Sequence, residues 1–217
     1  MNYLAHALPF LDQPYFAAGT SVPDWLSVVD RRVRLRIKHV EPFLNDSDAV
    51  VAAVAGGVWH HLKEDARFHE TRAFAELSWQ LTVMVRNVLK EEHGMRPNFL
   101  GHILVEILLD AALAEEDIKR LEKYYGLLEV IDPQLVEAAV NRISINQTDR
   151  LVLMIVEFRR QMILWDYVQD DKLLMRLNQI MSRVKLAPLP REFTTVLPTA
   201  RQLVGSRKNE LLDSTLG

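Results

Sequence analysis

NFLGHILVEILLDAALA, residues 98–114, is the stretch whose reading decides the fold. Its length and its Leu, Ile and Ala content are those of a buried helix rather than a strand. Three polar side chains interrupt it, His102, Glu106 and Asp110, at four-residue steps. On a helix they form one line along a single face. The remaining faces are greasy, so the helix belongs inside the protein and the polar line is buried with it. Two carboxylates and an imidazole cannot leave water cheaply without partners, and a cation is the simplest partner for all three.

One helix cannot surround an ion, because bundle sites collect ligands from facing helices. A second line does exist. Gly57, His61, Asp65 and His69 follow one another at four-residue steps within GGVWHHLKEDARFH, residues 56–69. His61 to Asp65 and His102 to Glu106 share the spacing His-x-x-x-acid. The expectation is an all-α, multi-helix bundle with an inter-helical metal site and a helical C-terminal extension. His60 is read as packing or as a support behind a ligand, since adjacent helical residues point about 100° apart and it cannot share the line of His61.

At 217 residues the chain is long enough for a substantial core, and its 49% apolar and 25% charged content is that of a soluble globular protein. With no cysteine there are no disulfides, zinc thiolates or cysteine nucleophiles, so a metal would take nitrogen and oxygen ligands. The opening MNYLAH lacks a signal-peptide layout and no apolar run reaches eighteen residues, so a cytoplasmic protein without a membrane span is expected. A formal charge of -3 favours no partner, and no nucleic acid is expected.

Along the chain, His6 lies in the apolar stretch 2–11. Residues 14–26 read as a helical turn, a loop at Gly19-Thr20-Ser21 and a new start at Pro23-Asp24. Asp24 is there either a first-turn acid or a bridging carboxylate. RRVRLRIKHV, residues 31–40, is the most basic run, either a solvated face or an electropositive rim for a phosphorylated or acidic substrate. Helices are expected over 48–68, 70–92, 133–143, 147–167 and 170–184. His93-Gly94 stops the second of these, 186–198 is an extended connector and the last ten residues fray. Composition suggests residues 1–126 as the metal-site bundle and 127–217 as helices packed on it, in one continuous domain.

MNYLAH at the start, then Pro23-Asp24, then Gly57-x-x-x-His61-x-x-x-Asp65, resembles the N-terminal half of the acyl carrier protein phosphodiesterases. These are all-helical metal-dependent hydrolases that release the phosphopantetheine arm. The order His6, Asp24, His61-x-x-x-Asp65, His69, His102-x-x-x-Glu106 is also similar to the zinc-dependent phospholipase C enzymes. The likeness spans about residues 1–115. It departs where His69 stands in place of an expected aspartate, and where Asp110 precedes Ala111 rather than a histidine.

Both resemblances imply a metal-activated water attacking a phosphate ester. The metal ligands would be His6, Asp24, His61, Asp65, His69, His102 and Glu106. The ion would be zinc, with manganese or iron also compatible with these donors. Asp65 and Asp110 are the candidate catalytic acids, with Glu64 an alternative for proton transfer. Acyl carrier protein enters as a candidate substrate carrier. The competing readings are an inactive metal-binding homologue and a metal-free helical adaptor whose polar lines are hydrogen-bond networks.

Overall fold

The computed structural model describes residues 1–89 and 96–213. Among the described residues there are twelve α-helices, several short 3-10 turns and no strand, so the all-α expectation holds. In chain order the helices are α1 (Tyr3–Ala7), α2 (Pro14–Val29), α3 (Ile37–Val40), α4 (Ala49–Glu70), α5 (Arg72–Val88) and α6 (Arg96–Glu116), followed by α7 (Lys119–Val130), α8 (Pro133–Ile143), α9 (Leu151–Gln161), α10 (Asp170–Arg183), α11 (Leu197–Ser206) and α12 (Lys208–Leu212). The expected helix stop at His93-Gly94 lies outside the described residues.

Contacts divide the chain into two compact units that interleave along the sequence. One comprises Met1, Arg67–Ile118 and Ile163–Gly217; the other comprises Asn2–Ala66 and Lys119–Met162. Each unit therefore takes segments from both halves of the chain.

The first unit is organised on α6, which contains the 98–114 stretch. Leu100, Leu104, Val105, Leu108, Leu109, Ala111 and Leu113 are all buried, as an apolar surface on every side requires. By length and composition α6 could cross a membrane, yet 67% of that window is buried against the protein. Gly101 sets how close α5 comes: a Cβ there would collide with Thr82 Oγ1 and lie 2.6 Å from the Ser78 carbonyl oxygen. Thr71 starts α5 as a side-chain cap, accepting from the Phe74 amide at 3.1 Å.

Two C-terminal readings are corrected here. Residues 191–196 turn as a 3-10 segment and α11 starts at Leu197, because Phe193 and Leu197 are fully buried and draw the expected connector into the core. Residues 208–212 form α12 rather than fraying, held by buried Leu211 and the Arg207–Glu210 pair at 2.6 Å, while 214–217 lie outside the described residues.

In the second unit α2 is one helix of 16 residues, with no loop at Gly19-Thr20-Ser21 and no new start at Pro23. Pro23 deletes a single backbone bond, the one the Gly19 carbonyl would accept. The packing of Ala17, Ala18, Gly19, Thr20, Ser21 and Val22, all buried, outweighs that loss. A Cβ on Gly19 would lie 2.5 Å from the Val54 carbonyl oxygen, and one on Gly57 would strike the Phe16 carbonyl. The two glycines thus let α2 and α4 meet backbone to backbone.

Phe158 on α9 anchors the aromatic core of this unit, with Tyr3 at 4.7 Å and Trp25 at 5.4 Å between ring centroids. Asp132 caps α8 by accepting from the Gln134 amide at 2.8 Å. α9 is shorter than the expected 147–167 helix. Asn141 and Thr148 exchange two 2.8 Å bonds that fix the preceding loop, and Met162 ends the helix in a left-handed conformation (φ 46°).

Residues 31–36 of the basic run are neither strand nor helix. Arg31 and Arg32 turn and residues 33–36 lead irregularly into α3, with Val33 and Leu35 buried and Arg32, Arg34 and Arg36 turned outward.

Candidate metal centre

Each His-x-x-x-acid pair finds a third ligand-type side chain inside its own unit. In the second unit α1 brings His6 to His61 and Asp65 on α4, and one ligand-type atom from each lies within 4.8 Å of the others. The two imidazole rings stand 4.1 Å apart, and His6 Nε2 is 4.0 Å from Asp65 Oδ1. His6 is fully buried, His61 is nearly so, and Asp65 is 34% exposed, so the carboxylate forms the side of the group open to solvent.

His61 Nδ1 lies 2.8 Å from the carbonyl oxygen of Thr20. A carbonyl can only accept, so this nitrogen carries the hydrogen, and in the neutral ring Nε2 keeps the lone pair. Metal-binding imidazoles are oriented in this way, with one nitrogen donating to a carbonyl or carboxylate. The bond exists because α2 and α4 touch at Gly19, the neighbour of Thr20, and at Gly57, one turn before His61. The glycines are therefore part of the site although neither has a side chain to offer.

The donor set suits a divalent ion. Bonds of about 2.1 Å to nitrogen and oxygen imply ligand separations of about 3.4 Å in a tetrahedral site, so small side-chain shifts would close this group on zinc. An ion held by these three side chains alone would keep a coordination position for water or substrate, as catalytic rather than structural sites do.

The first unit holds a different cluster. His69, in the last turn of α4, joins His102 and Glu106 on α6, again within 4.8 Å. Glu106 Oε1 accepts from His69 Nε2 at 3.0 Å and lies 3.2 Å from His102 Nε2. The two rings stack at 4.8 Å, with Phe74 edge-on to both. Burial pushes the Glu106 carboxyl up, but the hydrogen bonds from His102 and His69 and the charge of the Met1 amine 3.9 Å away hold it at about 2.

The other candidates fall outside both groups. Asp24 is half-buried in the middle of α2, and Asp110 is 1% exposed, one turn beyond Glu106 in the core face of α6. Glu64 is also buried. His60 packs edge-on against the Phe10 ring at 4.7 Å, the role its position on α4 gave it. Sequence reasoning missed Thr20, whose backbone oxygen orients His61. The only trace of it was a glycine on each of two helices.

Comparison with models of protein families, with curated proteins and with solved structures returns no match for this chain.

Proposed function

We infer that this chain is a metal-dependent hydrolase of phosphate esters, similar in design to the acyl carrier protein phosphodiesterases and zinc-dependent phospholipase C enzymes. The observation that carries the reading is the grouping of His6, His61 and Asp65 with the His61 tautomer fixed by Thr20. These three side chains would hold the ion, with zinc first among the candidates. A divalent ion there supplies Lewis acidity and makes water nucleophilic near neutral pH.

The chain's own residues do the rest. Thr20 keeps the His61 ring from rotating, so its donor atom stays aimed at the group. His6, fully buried, excludes water from the inner side and leaves approach to the Asp65 side. Asp65 is positioned there to bind the ion and to accept a proton from an incoming nucleophile. Asp110, enclosed in the core, fits a structural role better than the catalytic one its spacing suggested.

The second cluster favours another reading for itself. Glu106 is already paired with two imidazoles, which is a complete hydrogen-bond network without any ion. If both groups behave in that way, the protein is a metal-free helical binding module.

Metal analysis of protein purified without chelator separates these readings. The hydrolase reading expects at least one equivalent of metal, lost in His61→Ala and His6→Ala. It also expects hydrolysis of a nitrophenyl phosphodiester or of phosphopantetheinylated carrier protein that chelator abolishes and zinc restores. Wild-type protein without stoichiometric metal sinks it.

A further inference from the structure

Several cations of this protein are matched to acids. Arg72 pairs with Glu76, Arg160 with Glu157, Arg176 with Asp166, Arg207 with Glu210 and Lys208 with Glu116. The segment 31–38 of the second unit breaks that pattern, with five basic side chains in eight residues. Arg32 is held by the buried carboxylate of Asp30 through two 2.9 Å bonds. Arg31, Arg34, Arg36 and Lys38 are exposed and make no ion pair with any described residue. Arg31 and Arg34 donate only to backbone oxygens, those of Ser27 and Arg31.

The backbone underneath is fixed. Val33 and Leu35 are buried at 3% and 8% exposure, so Arg34 and Arg36, which alternate with them, face outward. Two tethers attach neighbouring structure: Asn146 Nδ2 donates to the Arg32 carbonyl at 2.9 Å, and Arg150 Nη1 to the Val29 carbonyl at 3.2 Å. The first tether brings Ile145, at 76% the most exposed large apolar side chain of the unit, beside the basic strip. Leu153, three residues on from Arg150 at the start of α9, is 72% exposed. Asp149, 4.0 Å from Arg150, is an acid close enough to act on Arg32.

Unmatched cations flanked by protruding aliphatic side chains fit a surface that is negatively charged outside and oily beneath. We propose that this face docks peripherally on an anionic lipid surface, with Arg31, Arg34, Arg36 and Lys38 on headgroup phosphates and carboxylates and Ile145 entering the acyl boundary. An oligonucleotide would use the same charges but would call for exposed aromatic side chains to stack its bases, and the exposed side chains of this face are aliphatic. The docking does not depend on the metal reading, because none of its residues belongs to either histidine group.

Vesicle sedimentation tests it. The wild-type chain should sediment with vesicles of phosphatidylcholine containing phosphatidylserine, stay in solution with phosphatidylcholine alone, and be released by high salt. Arg34→Gln combined with Arg36→Gln should weaken partitioning by roughly thirtyfold, and Ile145→Ser should weaken it by roughly tenfold or less. Arg183→Gln combined with Arg191→Gln, the same charge change elsewhere, should leave it unchanged, and thermal melts should show all variants folded. Failure to sediment with phosphatidylserine vesicles at low salt overturns the proposal. So does equal loss in the control variant, or displacement from the vesicles by single-stranded DNA at an equal phosphate concentration.

Discussion

His61 and Thr20 are joined by a 2.8 Å bond from an imidazole Nδ1 to a main-chain carbonyl. That bond couples a candidate ligand to the crossing of two helices, so the site and the packing of α2 on α4 stand or fall together.

Substitutions at the glycines of α4 should separate cleanly. In Gly57→Ala the new methyl meets the Phe16 carbonyl and lies 2.7 Å from the Thr20 nitrogen, both backbone atoms that cannot move aside. Denaturant unfolding should show a loss of about 2–4 kcal/mol. Zinc affinity should fall by roughly 10- to 100-fold as the Thr20 carbonyl is pushed off His61. In Gly56→Ala the methyl meets the edge of the Phe16 ring at 2.7 Å, a side chain that can turn. The helix-propensity gain of about 1 kcal/mol should then offset most of the strain. Equal damage from both variants would refute this account.

Acid should weaken the protein through Glu106. Its carboxyl sits at about 2 in the folded chain against 4.5 as the ordinary value. A depressed carboxylate contributes stability that is complete above the ordinary value and is lost as pH falls through the folded one. The window is therefore pH 4.5 down to 2. In chelator-treated protein, wild type should lose on the order of 3 kcal/mol more across that window than Glu106→Gln. Parallel pH profiles of unfolding free energy for the two proteins would count against the pairing.

α9 depends on a carboxylate outside itself. Glu137 Oε2 on α8 accepts from the Leu151 and Val152 amides at 2.9 and 3.1 Å, while Arg150 gives the helix no side-chain cap. Glu137→Ala should cost about 1–2 kcal/mol in thermal unfolding. It should leave metal content unchanged, since Glu137 lies in neither histidine group.

His102→Ala and His61→Ala should differ in kind. His61→Ala should remove bound metal. His102→Ala deletes one of the two imidazoles on Glu106 and should cost about 1–3 kcal/mol of stability. Isothermal zinc titration of each variant decides whether the first-unit cluster binds metal or is a hydrogen-bond network.

The sequence alone determined that the chain is helical, since the composition of 98–114 and its four-residue polar spacing are local properties. It also placed ligand-type side chains on shared helical faces, because a four-residue step fixes direction without any knowledge of the rest of the fold. What lay beyond it was every choice made at long range. Packing carried α2 unbroken through Gly19, Thr20 and Pro23 against their propensities, and burial of Phe193 and Leu211 folded a tail that composition left loose. Only the tertiary structure gave His61 and Asp65 to His6, gave His102 and Glu106 to His69, and set a main-chain oxygen behind the His61 ring. The reason is physical: helical spacing specifies which way a side chain points, whereas its partner is chosen by which helices can approach, and here two glycines made that choice.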